Sequence, residues 1–206
     1  DASKGNQKVV DAAGNYIVDP TLGILGDVNP DFQLTGITNL SYKGFTFRMQ
    51  WDYSQGGDMF AMTPLILLSR GVTKDTEIDR QQMWVIPGVN QQGQPNNVQI
   101  DVASVYFTNR LVSADEFGVW DATVIRLREL SLSYALPESF LSKTPFGGIS
   151  LTISGQNLWY NAPAFPKYTN FDPETSTLGV SSFARGFELM TAPSSRRMGA
   201  SIRVTF

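Results

Sequence analysis

The chain holds neither histidine nor cysteine, so any chemistry must come from carboxylates, arginines, lysines, hydroxyls and amides. This removes a histidine general base, a Ser-His-Asp triad, a thiolate nucleophile, a zinc-thiolate site and a disulfide framework. A two-carboxylate glycosidase needs none of these, and Asp115, Glu116, Asp121 and Glu129 are available for one. No spacing singles out a pair among them. In FDPE (171–174), Asp172 and Glu174 could offer hard oxygens to a cation, though two acids beside a proline also read as a solvated turn. The amide-rich stretch 91–97 suits sugar hydroxyls, yet any polar loop has that composition. The residues give no catalytic assignment, no metal site, no cofactor and no identifiable substrate contact.

Whatever these residues do, alternating segments must position them. Charged residues are 17% of the chain, against roughly 25% in ordinary soluble domains, and aromatics are 12%. Net charge is −3 with no basic block, which argues against nucleic acid as a partner. No run approaches the roughly 18 apolar residues of a membrane helix; the longest apolar region, 59–68, contains Pro64. That region could pack under its own loop, against a lid protein, or in the mouth of a pore. The opening DASKGNQ is not a signal peptide, so an exported protein would be processed, or the chain begins partway through a longer one.

Period-two alternation in segments of about ten residues, the length of a tilted membrane-crossing strand, dominates the pattern. Phe45, Phe47, Met49, Trp51 and Tyr53 share one face, and Thr46, Arg48, Gln50, Asp52 and Ser54 the other. Ile149, Leu151, Ile153, Gly155, Asn157 and Trp159 alternate with Ser150, Thr152, Ser154 and Gln156. Met198, Ala200, Ile202, Val204 and Phe206 alternate with Arg197, Gly199, Ser201, Arg203 and Thr205. A weaker set, Leu34, Gly36, Thr38, Leu40 and Tyr42, is interrupted by Ile37. Between Ile125 and Leu136 the phase slips, and one extra residue near Arg128-Glu129 would restore a single apolar face, as a β-bulge does. Strands are therefore expected at about 33–43, 45–56, 122–136, 148–160 and 196–206. Long external loops are expected at about 57–120 and 161–195.

Alternation alone also fits a soluble, secreted β-sandwich that binds carbohydrate. Three features favour a transmembrane β-barrel. Short and very long connections alternate, beginning with the tight turn Tyr42-Lys43-Gly44. Tyr42, Phe45 and Tyr134 fall at one set of strand ends, and Trp51, Tyr53, Trp159 and Tyr160 at the other, as membrane-interface aromatics do. Arg48, Asp52, Arg126, Arg128 and Arg203 fall on the polar face and read as lumen-facing, because such charges at the lipid midplane would be costly. Five strands cannot close a barrel, so more chain is needed.

Six motifs in order make the pattern specific. They are LGDVNPDF (25–32) with NLSYKGFTF (39–47), YSQGGDMF (53–60), WDATVIRLRELSLSYALP (120–137), KTPFGGISLTISGQNLW (143–159), FDPE (171–174) and PSSRRMGASIRVTF (193–206). In these the chain resembles the C-terminal part of the SusC/RagA-type TonB-dependent transporters of the Bacteroidetes outer membrane. The resemblance implies an all-β fold, about the last five strands of an antiparallel barrel of about 22 strands, with long extracellular loops. It implies that the plug domain and the TonB-contacting region are absent from this chain. The implied partners are the remainder of the transporter, a SusD-like surface lipoprotein, TonB through the absent N-terminal region, and outer-membrane lipid. The implied function is nutrient uptake, of an oligosaccharide or peptide, and not an enzymatic one. Phe206, an aromatic closing an alternating strand, resembles the assembly signal of outer-membrane proteins.

Overall fold

The computed structural model describes residues 7–112, 114–177 and 185–206. Five strands form one antiparallel meander: β1 (Phe32–Tyr42), β2 (Phe45–Gln55), β3 (Val124–Ala135), β4 (Gly148–Asn161) and β5 (Arg197–Thr205), each paired with the next. Residues 178–184 of the second long connection lie outside the described residues. Among the described residues no helix is long and apolar enough to cross a membrane.

β1 and β2 meet through Lys43 and Gly44, both at positive φ (45° and 87°). That is the left-handed pair a two-residue hairpin turn requires. A Cβ at Gly44 would stand 2.7 Å from the Ala135 carbonyl oxygen, so glycine is needed for space as well.

The ladder brings the alternating sets into register. One face carries in successive rows Tyr42, Phe45, Tyr134, Leu151 and Ile202, then Leu40, Phe47, Leu132, Ile153 and Ala200, then Thr38, Met49, Leu130, Gly155 and Met198. The row Gly36, Trp51, Leu127 and Trp159 follows. The opposite face carries Ser41, Thr46, Ser133, Thr152 and Ser201, then Asn39, Arg48, Ser131, Ser154 and Gly199. The apolar face is bare: Leu40 and Ile153 are 60% exposed, Ile202 is 70% and Met198 is 78%.

The phase slip is a bulge at Arg128, which stands between Leu127, paired with Trp51, and Glu129, paired with Gln50. It restores Leu130, Leu132 and Tyr134 to the face of Ile125 and Leu127. β4 answers with an irregularity of its own between Gln156 and Trp159. There Asn157 takes φ 51° and its Oδ1 accepts a hydrogen bond from Arg128 Nη1 at 3.1 Å. This corrects the placement of Asn157 on the apolar face: the left-handed residue breaks the alternation and turns the amide toward the polar side. A Cβ added at Gly155 would lie 2.6 Å from Leu158 Cδ2, so Leu158 occupies that space instead.

The two long connections are not bare loops but one folded cap. A short strand, Asp58–Ala61, pairs antiparallel with Val119–Asp121 and parallel with Phe187–Glu188, joining both connections. Helix α1 (Met62–Ser69) follows it directly, with Pro64 in the first turn, where no intrahelical N–H bond is lost. Fully buried Glu188 holds its start, accepting from Thr63 N at 2.9 Å and Thr63 Oγ1 at 2.6 Å. Met59, Ala61, Phe165 and Phe171 form one buried cluster, against which Trp120 stacks on Phe165 at 5.5 Å. Region 59–68 is thus core under its own loops. A second cluster, Val10, Ile86, Ile100 and Val105, gathers the first described residues of the chain onto the cap.

Candidate functional site

β3 presents Arg126 and Arg128 on the polar face, and the second long connection brings Asp172 and Glu174 down to them. Arg126 Nη1 donates to Asp172 Oδ2 at 2.9 Å, and Nη2 donates to Oδ1. Arg128 repeats the fork on Glu174, with Nη1 to Oε2 at 2.9 Å and Nη2 to Oε1 at 2.5 Å. Its Nε donates to Asp52 Oδ2 on β2 at 2.6 Å. Planar guanidiniums suit such paired contacts, and two parallel forks fix the loop's position as well as its charge.

The two halves of this clasp differ in solvation. The Arg126 side chain is 1% exposed and the Asp172 side chain 3%, whereas Arg128 and Glu174 are 30% and 44% exposed. Burial pushes the Asp172 carboxyl upward, but the hydrogen bonds and charge of Arg126 outweigh it and hold that group below its ordinary value. Asp172 also caps its own turn, accepting from Glu174 N at 3.0 Å. Tyr160 supports the clasp from β4: its ring lies 5.2 Å from the Arg126 guanidinium, and its hydroxyl donates to the Asn170 carbonyl at 2.5 Å.

These contacts overturn two sequence expectations. Asp172 is buried rather than solvated, and neither it nor the half-exposed Glu174 is a free oxygen donor for a cation, because both are spent on arginines. Tyr160 is not an interface aromatic: it pairs with Arg126 across the ladder and lies on the polar face. Arg126 does stand on the polar face, but beneath the second connection. The signal that could have found the clasp is its matched spacing, Arg-x-Arg on a strand and Asp-x-Glu in a loop. Residues two apart on a strand share a face.

The remaining polar-face charges form smaller groups. Arg48 Nε donates to Glu129 Oε2 at 3.3 Å, and Arg48 Nη1 to Asn39 Oδ1 at 3.3 Å. Asp52 Oδ1 accepts from Thr35 at 3.1 Å and Gln50 at 3.0 Å. Arg203 lies near the turn end of β5, paired in register with Ser150. Three of the four carboxylates considered for glycosidase chemistry have separate partners. Glu116 pairs with Lys8, Glu129 with Arg48, and Asp121 accepts from Thr123 N. In the amide-rich stretch and its flank, Asn90 and Asn96 are spent on closing turns, accepting from Gln92, Gln94 and Val98 N–H groups.

The aromatic bands lie at opposite ends of the apolar face. Phe45 stacks on Tyr134 at 4.4 Å, with Tyr42 in the same row. Trp51 meets Trp159 edge-on at 6.0 Å, and Tyr53 meets Phe32 at 5.9 Å. Eight residues separate Phe45 from Tyr53, about 26 Å along a strand. Phe206, 87% exposed, contacts Phe146 at 5.5 Å.

No family model matches the chain. A curated relative, TonB-dependent receptor P3 of Formosa agariphila, is 32% identical over 177 residues, 85% of this chain. The chain spans only 16% of that relative's length. Among solved structures, the RagAB peptide importer in its open-open state matches with a TM-score of 0.53 at 22% identity, over 87% of this chain and 17% of that one. The RagAB peptide transporter matches with a TM-score of 0.54 at 20% identity, over 98% and 20%. At these identities the structural likeness is one of fold.

Proposed function

We propose that the chain, which is 32% identical over 177 residues to a TonB-dependent receptor and shares the fold of the RagAB importers, belongs to the SusC/RagA-type TonB-dependent transporters and forms five strands of the wall of an outer-membrane nutrient importer, together with an external cap. The carrying observation is the uncovered apolar face that runs in register across all five strands, with aromatic rows at both ends. In this reading Tyr42, Phe45 and Tyr134 sit at one membrane interface, and Trp51, Tyr53 and Trp159 at the other. Arg48, Asp52, Arg126, Arg128 and Arg203 face the lumen or the loop that fills it. A soluble β-sandwich would bury the apolar face beneath a second sheet, and none covers it among the described residues.

The open edges of β1 and β5 pair with further strands of the same protein, because unpaired backbone groups in hydrocarbon cost several kcal/mol each. Phe206 acts in assembly. The Arg126–Asp172 clasp holds the second connection across the mouth. The cargo is an oligosaccharide or a peptide, delivered by a SusD-like lipoprotein, with TonB engaging a part of the receptor beyond this segment. No catalytic step is assigned to the chain.

The test is purification of the whole protein with its companions, followed by uptake in cells with and without TonB. A detergent-dependent receptor far larger than 22.7 kDa, with a lipoprotein companion and TonB-dependent uptake, is the expected result. A water-soluble 22.7 kDa protein would overturn the proposal.

A further inference from the structure

The cap contains a groove of about 410 Å³ that the clasp does not use, walled by Tyr16, Trp84 and Phe117, floored by Ile86 and Val105, and edged by Arg110. Its size falls within the roughly 300–1,000 Å³ of small-ligand sites. One wall is the π-helix Ser104–Val112, a rare conformation concentrated at functional sites. Its i to i+5 repeat turns both Val105 and Arg110 toward the groove. Tyr16 and Phe117 stack on each other at 5.7 Å, and Trp84 meets Tyr106, which lies outside the groove lining, at 6.2 Å, so each aromatic wall is held by a neighbouring ring.

The polar groups at the groove are nearly all committed. Asn109 accepts from Tyr16 N at 2.7 Å and donates to Asn15 Oδ1 and the Ser104 carbonyl, each at 2.9 Å. The Tyr16 hydroxyl donates to the Pro87 carbonyl at 3.1 Å. Lys8, over the Tyr16 and Phe117 rings, is neutralised by Glu116. Arg110 differs: its guanidinium lies 5.1 Å from the Tyr106 ring, and among the described residues no carboxylate pairs with it.

We infer that this groove binds the carboxylate end of a short peptide whose last side chain is aromatic or large and apolar. The side chain enters between the rings while Arg110 takes the carboxylate as a charge-assisted pair. A sugar ring carries hydroxyls that need partners when buried, and the committed groups of this groove offer few. The inference rests on the import reading and narrows its cargo.

The experiment titrates the whole receptor in detergent with Ala-Ala-Phe as the free acid and as the C-terminal amide, following tryptophan fluorescence and calorimetry. The acid binds at least tenfold more tightly than the amide. Arg110→Gln brings the acid down to the amide's level and leaves the amide unchanged, and Trp84→Leu weakens both. Equal binding of acid and amide by the wild type overturns the inference, as does an Arg110→Gln receptor that still prefers the acid. Binding of a galacturonate trisaccharide in place of the peptides overturns it too. Membrane insertion is measured on each preparation by heat-modifiable migration, which also shows that the variants fold. An inserted receptor that ignores the carboxylate sinks this site alone, whereas a receptor that needs no membrane sinks the import reading separately.

Discussion

Replacing Met198 with arginine separates a lipid-facing surface from a merely exposed one. Met198 lies in the third row of the apolar face, with Thr38, Met49, Leu130 and Gly155. Two rows separate it from the Tyr42-Phe45-Tyr134 band and two from the row of Tyr53, about 13 Å along the strand either way. That places it near the middle of the apolar band. An arginine at the bilayer midplane of such a barrel costs about 2–4 kcal/mol. At about 1.4 kcal/mol per factor of ten, folding into lipid should weaken roughly 30- to 700-fold. In water the same change at a 78% exposed position should fall within about 0.5 kcal/mol of wild type. Ser154→Arg is the control: it sits one step along the same β4–β5 ladder but on the polar face, opposite Gly199. The assay is equilibrium unfolding of the whole receptor in phospholipid vesicles across a guanidinium gradient. Met198→Arg should lose 2 kcal/mol or more and Ser154→Arg less than about 1 kcal/mol. Equal costs, or two neutral variants, would refute the assignment of faces.

Three further predictions concern the cap. Arg126→Met strands a buried Asp172 carboxylate, so docking of the second connection should weaken by about 3–5 kcal/mol, seen as faster hydrogen exchange across residues 162–177. Asp172→Leu in the same background should recover much of that loss, and unchanged exchange in the single variant would mean the clasp is idle. Because the Asp172 value is lowered on folding, its contribution is complete above the unfolded carboxylate value of about 3.9 and is lost as pH falls through the lowered folded value. Protease nicking of 162–177 should therefore stay flat from pH 7 to 5 and rise below about 4; a rise near pH 6 would contradict it. Glu188→Ala removes the acceptor of Thr63 N and Oγ1 and should weaken the start of α1 by about 1–2 kcal/mol, read by exchange at the α1 amides; an unchanged α1 would refute that role.

Strand alternation made the wall legible, because a pleated strand writes its two faces into a period of two. The slip between Leu127 and Leu130 marked the Arg128 bulge for the same reason, and Lys43-Gly44 marked its turn by backbone conformation. Contacts distant in sequence left no periodic trace, only the matched Arg-x-Arg and Asp-x-Glu spacing of the clasp. Arg126 and Asp172 are 46 residues apart, and nothing local distinguishes Asp172 in a Pro-containing loop from a solvated acid. The pairing of Asp58–Ala61 with Phe187–Glu188 joins two connections through bonds between backbones, which carry no side-chain signature. Asn157 misled because a single left-handed residue breaks a two-residue period that composition otherwise satisfies.

The central claim, one face on lipid and the other on water, is tested most directly by single-cysteine labelling along β2 and β3, since this chain has no cysteine of its own. In the membrane-inserted receptor a water-soluble maleimide should react at positions 48, 50 and 52 and spare 47, 49 and 51. In β3 it should spare 125 and 127, then change phase across Arg128 and spare 130, 132 and 134. Reaction at both parities, or an alternation that runs through Arg128 without the shift, would contradict the account.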